Sequence, residues 1–231
     1  MNAPEQSNPL LELAITIVIP AVILMKWSDP QDLGAVHALL LALAFPLGWG
    51  GFELAWRRKV NLLAVLGFVS VLLTGGIGLL QLDAQWLAVK EAAVPGLIGF
   101  AIIASMATRY PLIRTLVYHP RLVDVERVSA QLEARGAVAA FEARLQRATW
   151  MLGGTFFFSS VMNYVLARAI VVSPAGSTAF NEELGRLTLL SYPAIALPSM
   201  AMMGLVLFYL VRTIRQLTGL KLDDVLHAAK S

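Results

Sequence analysis

Residues 60–80 read VNLLAVLGFVSVLLTGGIGLL and carry no charged side chain over 21 positions. The hydrocarbon core of a bilayer, about 30 Å thick, is crossed by about 20 apolar residues at a helical rise of about 1.5 Å each. This stretch therefore predicts one transmembrane helix. Lipid, rather than water, is therefore the expected solvent for much of the rest of the chain.

Five further apolar runs of similar length lie on both sides of this stretch. They cover residues 10–27, 34–56, 86–107, 150–172 and 187–211. The content of 58% hydrophobic and 14% charged residues agrees with a chain that lies largely in lipid, whereas a soluble α/β protein would show shorter runs broken by amphipathic helices. The runs predict an all-α, polytopic membrane protein with a single membrane domain (1–231), whose six transmembrane helices form three hairpins.

The basic residues predict the orientation, because Lys and Arg near helix ends are retained on the cytoplasmic side. Fourteen of the 18 basic residues fall in the second turn, in the fourth connection (108–148) and in the tail (212–231). Both termini are therefore expected in the cytoplasm. The basic residues expected at the membrane surface are Arg57, Arg58, Lys59, Arg127, Arg135, Arg144 and Arg147.

The sequence lacks the motifs that are typical of several classes of function. The chain has no Cys, and His37, His119 and His227 lie in different segments without a carboxylate at ligand spacing, so no metal site is predicted. Phosphate-binding glycine loops, nucleophile elbows and zinc-protease motifs are absent, and neither a catalytic residue nor a cofactor is predicted. A nucleic-acid partner is not expected either, because topology accounts for the net charge of +3 and no aromatic residues are interleaved with the Arg cluster.

The fourth connection carries apolar residues at helical spacing, interrupted near Gly136. They are Val125, Val128, Leu132, Val138, Phe141, Leu145 and Ala148. This spacing predicts a cytoplasmic pair of amphipathic helices between the fourth and fifth spans. Two interpretations remain open: the pair lies on the lipid surface with its Arg side chains at anionic head groups, or its apolar face is a docking surface for a partner.

Ionisable and amide side chains in or near the spans form a candidate polar site, because such groups are costly in lipid. They are Asn163, Arg168, Lys90, Glu91, Glu182, Glu183 and Glu53. Glu53 precedes Arg57 by one turn and is expected to pair with it. Arg168 is expected either to form a structural salt bridge with Glu91, Glu182 or Glu183, or to belong to a pocket for an anionic or zwitterionic solute or a lipid head group.

Small residues form stripes on two spans and predict close helix packing. The third span contributes Gly67, Ser70, Thr74 and Gly78, and the fifth contributes Gly153, Ser160, Asn163 and Ala167. The stripes are expected to face each other or another helix in one bundle. The same pattern is compatible with a homodimer.

Short motifs recur in one order along most of the chain. WRRKV at 56–60, LTGG at 73–76, Trp86 ahead of Lys90, YPLIR at 110–114, and a fifth run from Trp150 through FFF at 156–158 to NYVLA at 163–167 together resemble the intracellular septation protein A family. The fourth connection is longer here, and NEELG at 181–185 replaces that family's aromatic-lysine pattern. The resemblance implies a bacterial inner-membrane protein of cell-envelope maintenance or division, with other envelope membrane proteins as partners and no cofactor.

Two functions follow as alternatives. The first is a structural or interaction role in the envelope, through the helix bundle and the Arg-rich cytoplasmic pair. The second is a small secondary transporter or lipid-handling protein whose site contains Asn163, Arg168 and the acidic residues near the outer helix ends.

Overall fold

The computed structural model describes residues 14–57, 62–108, 111–113 and 124–220, with the backbone alone for 52–57 and 62–68. Every regular element in these ranges is helical. The α-helices are α1 (Ile19–Lys26), α2 (Gly34–Arg57), α3 (Leu62–Leu79), α4 (Gln85–Ala104), α5 (Val125–Ala134), α6 (Val138–Ile170), α7 (Thr178–Ser191) and α8 (Leu197–Thr218). The all-α prediction is confirmed for this part of the chain.

Local sequence signals account for several helix ends. Asp124 caps α5 by accepting a hydrogen bond from the backbone N–H of Arg127 at 3.0 Å, and Ser177 caps α7 in the same way through Phe180 at 3.1 Å. Gly136, with φ of +62°, separates α5 from α6, and Gly219, with φ of +71°, follows α8. Glycine adopts this left-handed conformation without the steric penalty of a Cβ atom, and both glycines therefore stop a helix.

Three helical stretches of the described residues are long and apolar enough to cross a membrane. They are Gly34–Gly51, Gln85–Ala107 and Thr178–Thr218, and two shorter apolar helical stretches cover Ala14–Lys26 and Val69–Leu79. These apolar helices support the prediction of a membrane protein. The count of six spans stays a prediction.

Two helices begin before the spans that were predicted for them. The fifth span was expected to begin at Trp150, after a separate cytoplasmic helix, but α6 is continuous from Val138 to Ile170. Glu142, Arg144 and Arg147 lower the hydropathy of this region without interrupting the helix. The last span was expected to start at residue 187 after an acidic turn, whereas Glu182 and Glu183 already lie within α7.

The described residues group into two compact units, which are described separately. The first unit lies within Met1–Val94 and Val161–Ile195, and the second within Pro95–Ser160 and Ala196–Ser231. In the first unit, α1 packs against α7 and α2, and α2 packs against α3. Leu39, Leu87 and Phe180 are fully buried in its core. A Cβ atom on Gly185 would come within 2.8 Å of the Ala21 carbonyl oxygen, which shows how closely the backbones of α1 and α7 approach.

The second unit buries the apolar face predicted for the fourth connection. Val128, Leu132, Phe141, Leu145 and Ala148 form one core cluster with three residues of α8, Val206, Leu210 and Ile214. Both interpretations of this face, lipid contact and partner docking, are wrong for these buried side chains. The reason is that α8 extends to Thr218, beyond the predicted end of the last span at residue 211, and its own apolar side chains cover the face.

Small residues of both stripes pack closely against neighbouring helices. In the first unit, a Cβ atom on Gly78 would clash with Leu39 of α2. In the second unit, Gly153 and Ser160 of α6 lie against Gly99 and Gly96 of α4. Gly78, Gly153 and Ser160 each contact another helix of their own unit.

Candidate functional site

Lys90 places a cation inside the first unit. Its side chain is only 9% exposed. The Nζ atom donates hydrogen bonds to Thr74 Oγ1 at 2.7 Å and to Ser70 Oγ at 3.2 Å, and it forms an ion pair with Glu91 Oε1 at 2.6 Å. Since an ammonium group has three N–H donors, these three acceptors satisfy all of them.

Helical geometry explains why two hydroxyl groups meet Lys90. Ser70 and Thr74 are four residues apart on α3 and therefore lie one turn apart on the same face. The Thr74 hydroxyl donates its hydrogen to the Ser70 carbonyl oxygen at 3.1 Å, so its oxygen remains available to accept from Lys90. A residue pair that was predicted as a packing stripe thus also binds a charged side chain.

A cavity of about 330 Å³ is bordered by this cluster. Its walls are largely aliphatic, and Pro20 of α1 and Pro46 of α2 contribute to them. The polar groups that line it include Lys90, Glu91, Asn163, Thr188, Ser191 and Tyr192. Mostly apolar walls with a few converging polar groups are typical of small-molecule sites, whose volumes usually lie between about 300 and 1,000 Å³.

The hydroxyl groups of the α7 wall have their hydrogens already engaged. Thr188 Oγ1 donates to the Leu184 carbonyl oxygen at 2.9 Å, and Ser191 Oγ donates to the Leu187 carbonyl oxygen at 2.7 Å. A hydroxyl group has one donor and two acceptor positions. Both oxygens can therefore still accept a hydrogen bond, but neither can donate a further one without breaking its bond to the helix.

Asn181 is a buried polar residue that the sequence analysis did not include in the site. It is fully buried, and its Nδ2 donates to Ser28 Oγ at 3.0 Å and to the Ala35 carbonyl oxygen at 2.7 Å. Thr178 adds a hydrogen bond to the Ser28 carbonyl oxygen at 3.0 Å. These bonds join α7 to the connection between α1 and α2, and they do not line the cavity.

The remaining predicted site residues lie elsewhere. Glu183 accepts hydrogen bonds from the backbone N–H groups of Val172 and Ser173 and from the Ser173 hydroxyl, and thereby orders the connection from α6 to α7. Glu182 lies 3.6 Å from Arg186, an exposed pair one turn apart. These contacts account for two of the carboxylates expected to pair with Arg168.

Arg168 has an exposed side chain and forms no ion pair within the described ranges, and Glu91, the third carboxylate expected to pair with it, is bound to Lys90. The structure therefore brings Lys90, Glu91 and Asn163 together at the cavity and leaves Arg168, Glu182 and Glu183 outside it. The side chain of Glu53, and with it the expected pair with Arg57, lies outside the described residues.

The basic residues predicted at the membrane surface have different surroundings. The Arg135 guanidinium lies against Gly219, and Arg144 donates to Gln216 Oε1 at 2.7 Å. Arg127 and Arg147 are exposed. Arg58, Lys59 and the Arg57 side chain are outside the described residues. No group of His, Asp or Glu side chains that could hold a metal ion occurs in the described ranges.

Comparison with known proteins identifies no family for this chain. The chain matches no protein-family model, no curated protein and no solved structure. Its function has to be argued from the cavity and from the membrane character of its helices.

Proposed function

We propose that this chain is a membrane protein that binds a small polar solute in the cavity of the first unit, as a secondary transporter of small size would. The observation that carries the proposal is the nearly buried Lys90 at the wall of that cavity. An ionisable group in a membrane-spanning region is costly, and such groups commonly mark solute or ion pathways. The cavity of about 330 Å³ favours a small solute over a whole lipid molecule.

The proposal includes six crossings of a bacterial inner membrane with both termini in the cytoplasm. The distribution of Lys and Arg supports this orientation. Large apolar side chains on the outside of the helices support the membrane crossings: Leu72, Leu97, Phe100 and Val165 are each at least half exposed. Apolar surface of this kind is unfavourable in water and is solvated by lipid tails in a bilayer.

The residues that carry the family resemblance provide a second kind of support. Thr74 belongs to the LTGG motif, Lys90 follows Trp86, and Asn163 begins NYVLA. These motifs are far apart in the sequence, yet all three residues line the cavity. The envelope role that the resemblance implies is therefore compatible with solute binding. A structural envelope protein that binds no solute is the second candidate function.

Cysteine labelling tests whether solutes reach the cavity, and the chain is suited to it because it has no native Cys. Val71 lines the cavity, whereas Val69, two residues earlier on α3, is 43% exposed on the outside of the unit. We expect N-ethylmaleimide to label Val71→Cys in membrane vesicles and to leave Val69→Cys, which faces lipid, almost unlabelled. Labelling of neither variant, with Gln31→Cys in an exposed turn labelled normally, would show a dry cavity and overturn the proposal.

Complementation distinguishes the two candidate functions. In bacteria that lack the chain, Asn163→Ala present at the normal membrane level is expected to fail, because it changes the cavity wall. Arg168→Gln is the matched control outside the cavity and is expected to function normally. A purely structural envelope role predicts that both variants restore normal division and envelope integrity.

A further inference from the structure

Several polar hydrogens at the cavity of the first unit are already engaged. Lys90, its cation, has all three N–H groups engaged by Ser70, Thr74 and Glu91. The hydroxyl hydrogens of Thr188 and Ser191 are engaged by carbonyl oxygens of their own helix. Lys90, Thr188 and Ser191 therefore offer no free polar hydrogen to a ligand.

Glu91 is the charged group that retains binding capacity. Its Oε1 is bound to Lys90, and its side chain is 29% exposed. A carboxylate offers about four lone-pair positions, and one ion pair uses only part of them. Together with the free acceptor positions of Thr188 and Ser191, Glu91 forms a wall that recognises N–H donors.

From this arrangement we infer that the solute is an amphipathic amine, with a protonated amino group at Glu91 and a compact apolar body against the aliphatic wall. The inference rests on the proposed solute-binding function and narrows the class of its ligand. A solute with an anionic group alone would have to displace Glu91 or a hydroxyl group from Lys90 before binding. An ammonium group would share Glu91 with Lys90 and would displace none of the contacts of Lys90, and charge-assisted hydrogen bonds to a carboxylate are among the stronger ones in proteins.

The apolar part of the ligand follows from the remaining wall. Leu39, Leu43, Leu184 and Leu187 line the cavity and offer no polar atoms on their side chains. An alkyl or aryl group bound there leaves water and contributes the favourable free energy of apolar burial. A strongly hydrated solute with polar groups all round would leave its hydrogen-bonding groups unsatisfied against these side chains.

Protection of the cavity cysteine tests the inference with a defined probe. The full chain carrying Val71→Cys is placed in lipid vesicles and labelled with N-ethylmaleimide at neutral pH, with n-butylammonium or with butyrate at the same concentration. We expect n-butylammonium to slow labelling several-fold and butyrate to have no effect. Gln31→Cys lies in an exposed turn outside the cavity, so its labelling rate must be the same with n-butylammonium and with butyrate.

Two variants assign the protection to the acceptors. Glu91→Gln in the Val71→Cys background is expected to abolish protection by n-butylammonium. Ser191→Ala, which leaves the Lys90 cluster intact, is expected to weaken it. Retention of full protection in both variants would overturn the inference.

The outcomes also separate this inference from the proposed function. Labelling that is slowed by butyrate, or by neither compound, would overturn the amine assignment while the cavity remained accessible to solutes. A Val71→Cys variant that cannot be labelled at all would overturn the proposed function itself and the amine assignment with it.

Discussion

The two units enclose different polar side chains: the first contains a nearly buried ammonium group and a buried amide, whereas the buried polar side chains described in the second are hydroxyl groups. In the second unit, buried Thr149, Thr155 and Thr218 each donate a hydrogen bond to a carbonyl oxygen one turn earlier in the same helix. In the first unit, buried or nearly buried Lys90 and Asn181 make hydrogen bonds between different elements. A bond within a helix leaves the helix free to pack by shape alone, whereas a bond between elements also specifies which element is the partner.

This difference suggests a division of roles. The second unit has an aliphatic and aromatic core in which α5, α6 and α8 meet. The first unit also has a continuous apolar core, and a cavity and a nearly buried ion pair lie beside it. A polar network beside a cavity can bind a solute or fix the arrangement of the helices. Substitutions can separate these two contributions.

The largest effect is expected for Lys90→Met. The substitution leaves Glu91 without its cation, and breaking a buried ion pair costs about 3–5 kcal/mol; we expect the lower end, since Glu91 is 29% exposed. Unfolding in mixed detergent micelles measures the change. The matched control is the double variant with Glu91→Gln, which removes both charges and is expected to recover part of the loss. Wild-type stability of Lys90→Met would show that the pair is not formed in the membrane.

Gly185→Ala is expected to have the next largest effect. The added Cβ atom would come within 2.8 Å of the Ala21 carbonyl oxygen, so the backbones of α1 and α7 must separate, and overpacking of this kind costs about 1–3 kcal/mol. Gly204→Ala on α8 is the matched control, because nothing lies within 4 Å of its added Cβ atom and helix propensity favours Ala by about 1 kcal/mol. Equal unfolding midpoints for the two variants would contradict the close approach.

Asn181→Ala tests the bond between α7 and the start of the second helix. It removes the two hydrogen bonds from Nδ2 and leaves the Ala35 carbonyl oxygen without that donor. We expect a loss of about 1–3 kcal/mol, the cost of an unsatisfied buried polar group. The same unfolding assay measures it, and protection of Val71→Cys by n-butylammonium should survive, since Asn181 does not line the cavity. Loss of protection without loss of stability would instead make Asn181 a binding residue.

The sequence predicted those features that depend on hydropathy and local capping. Charge-free runs predicted apolar helices, and the interruption near Gly136 was found where expected. Lys90, Glu91 and Asn163 were recognised because ionisable and amide groups are rare in lipid. Their common cavity could not be predicted, because it depends on how each helix is rotated about its axis, which the packing of the whole unit determines.

The failures have the same origin. Arg168 was expected to pair with an acidic residue, but backbone groups of the connection after α6 bind Glu183 and a neighbouring Lys binds Glu91. The sequence predicted the apolar face of α5 and the start of α6, but it did not predict that α8 covers this face. The spacing of apolar residues is the same whether a face contacts lipid or another helix of the same chain.

The smallest effect is expected for Thr155→Val in the second unit, and it sharpens the comparison most directly. Thr155 is buried and donates to the Met151 carbonyl oxygen at 3.1 Å, an acceptor that also belongs to the hydrogen-bond ladder of α6. Removing the hydroxyl group therefore leaves no acceptor unsatisfied, and we expect a change below about 1 kcal/mol in the unfolding assay. If Thr155→Val were as costly as Asn181→Ala, bonds within a helix and bonds between elements would stabilise the chain equally. The polar interior of the first unit would then need another explanation than the specification of helix partners.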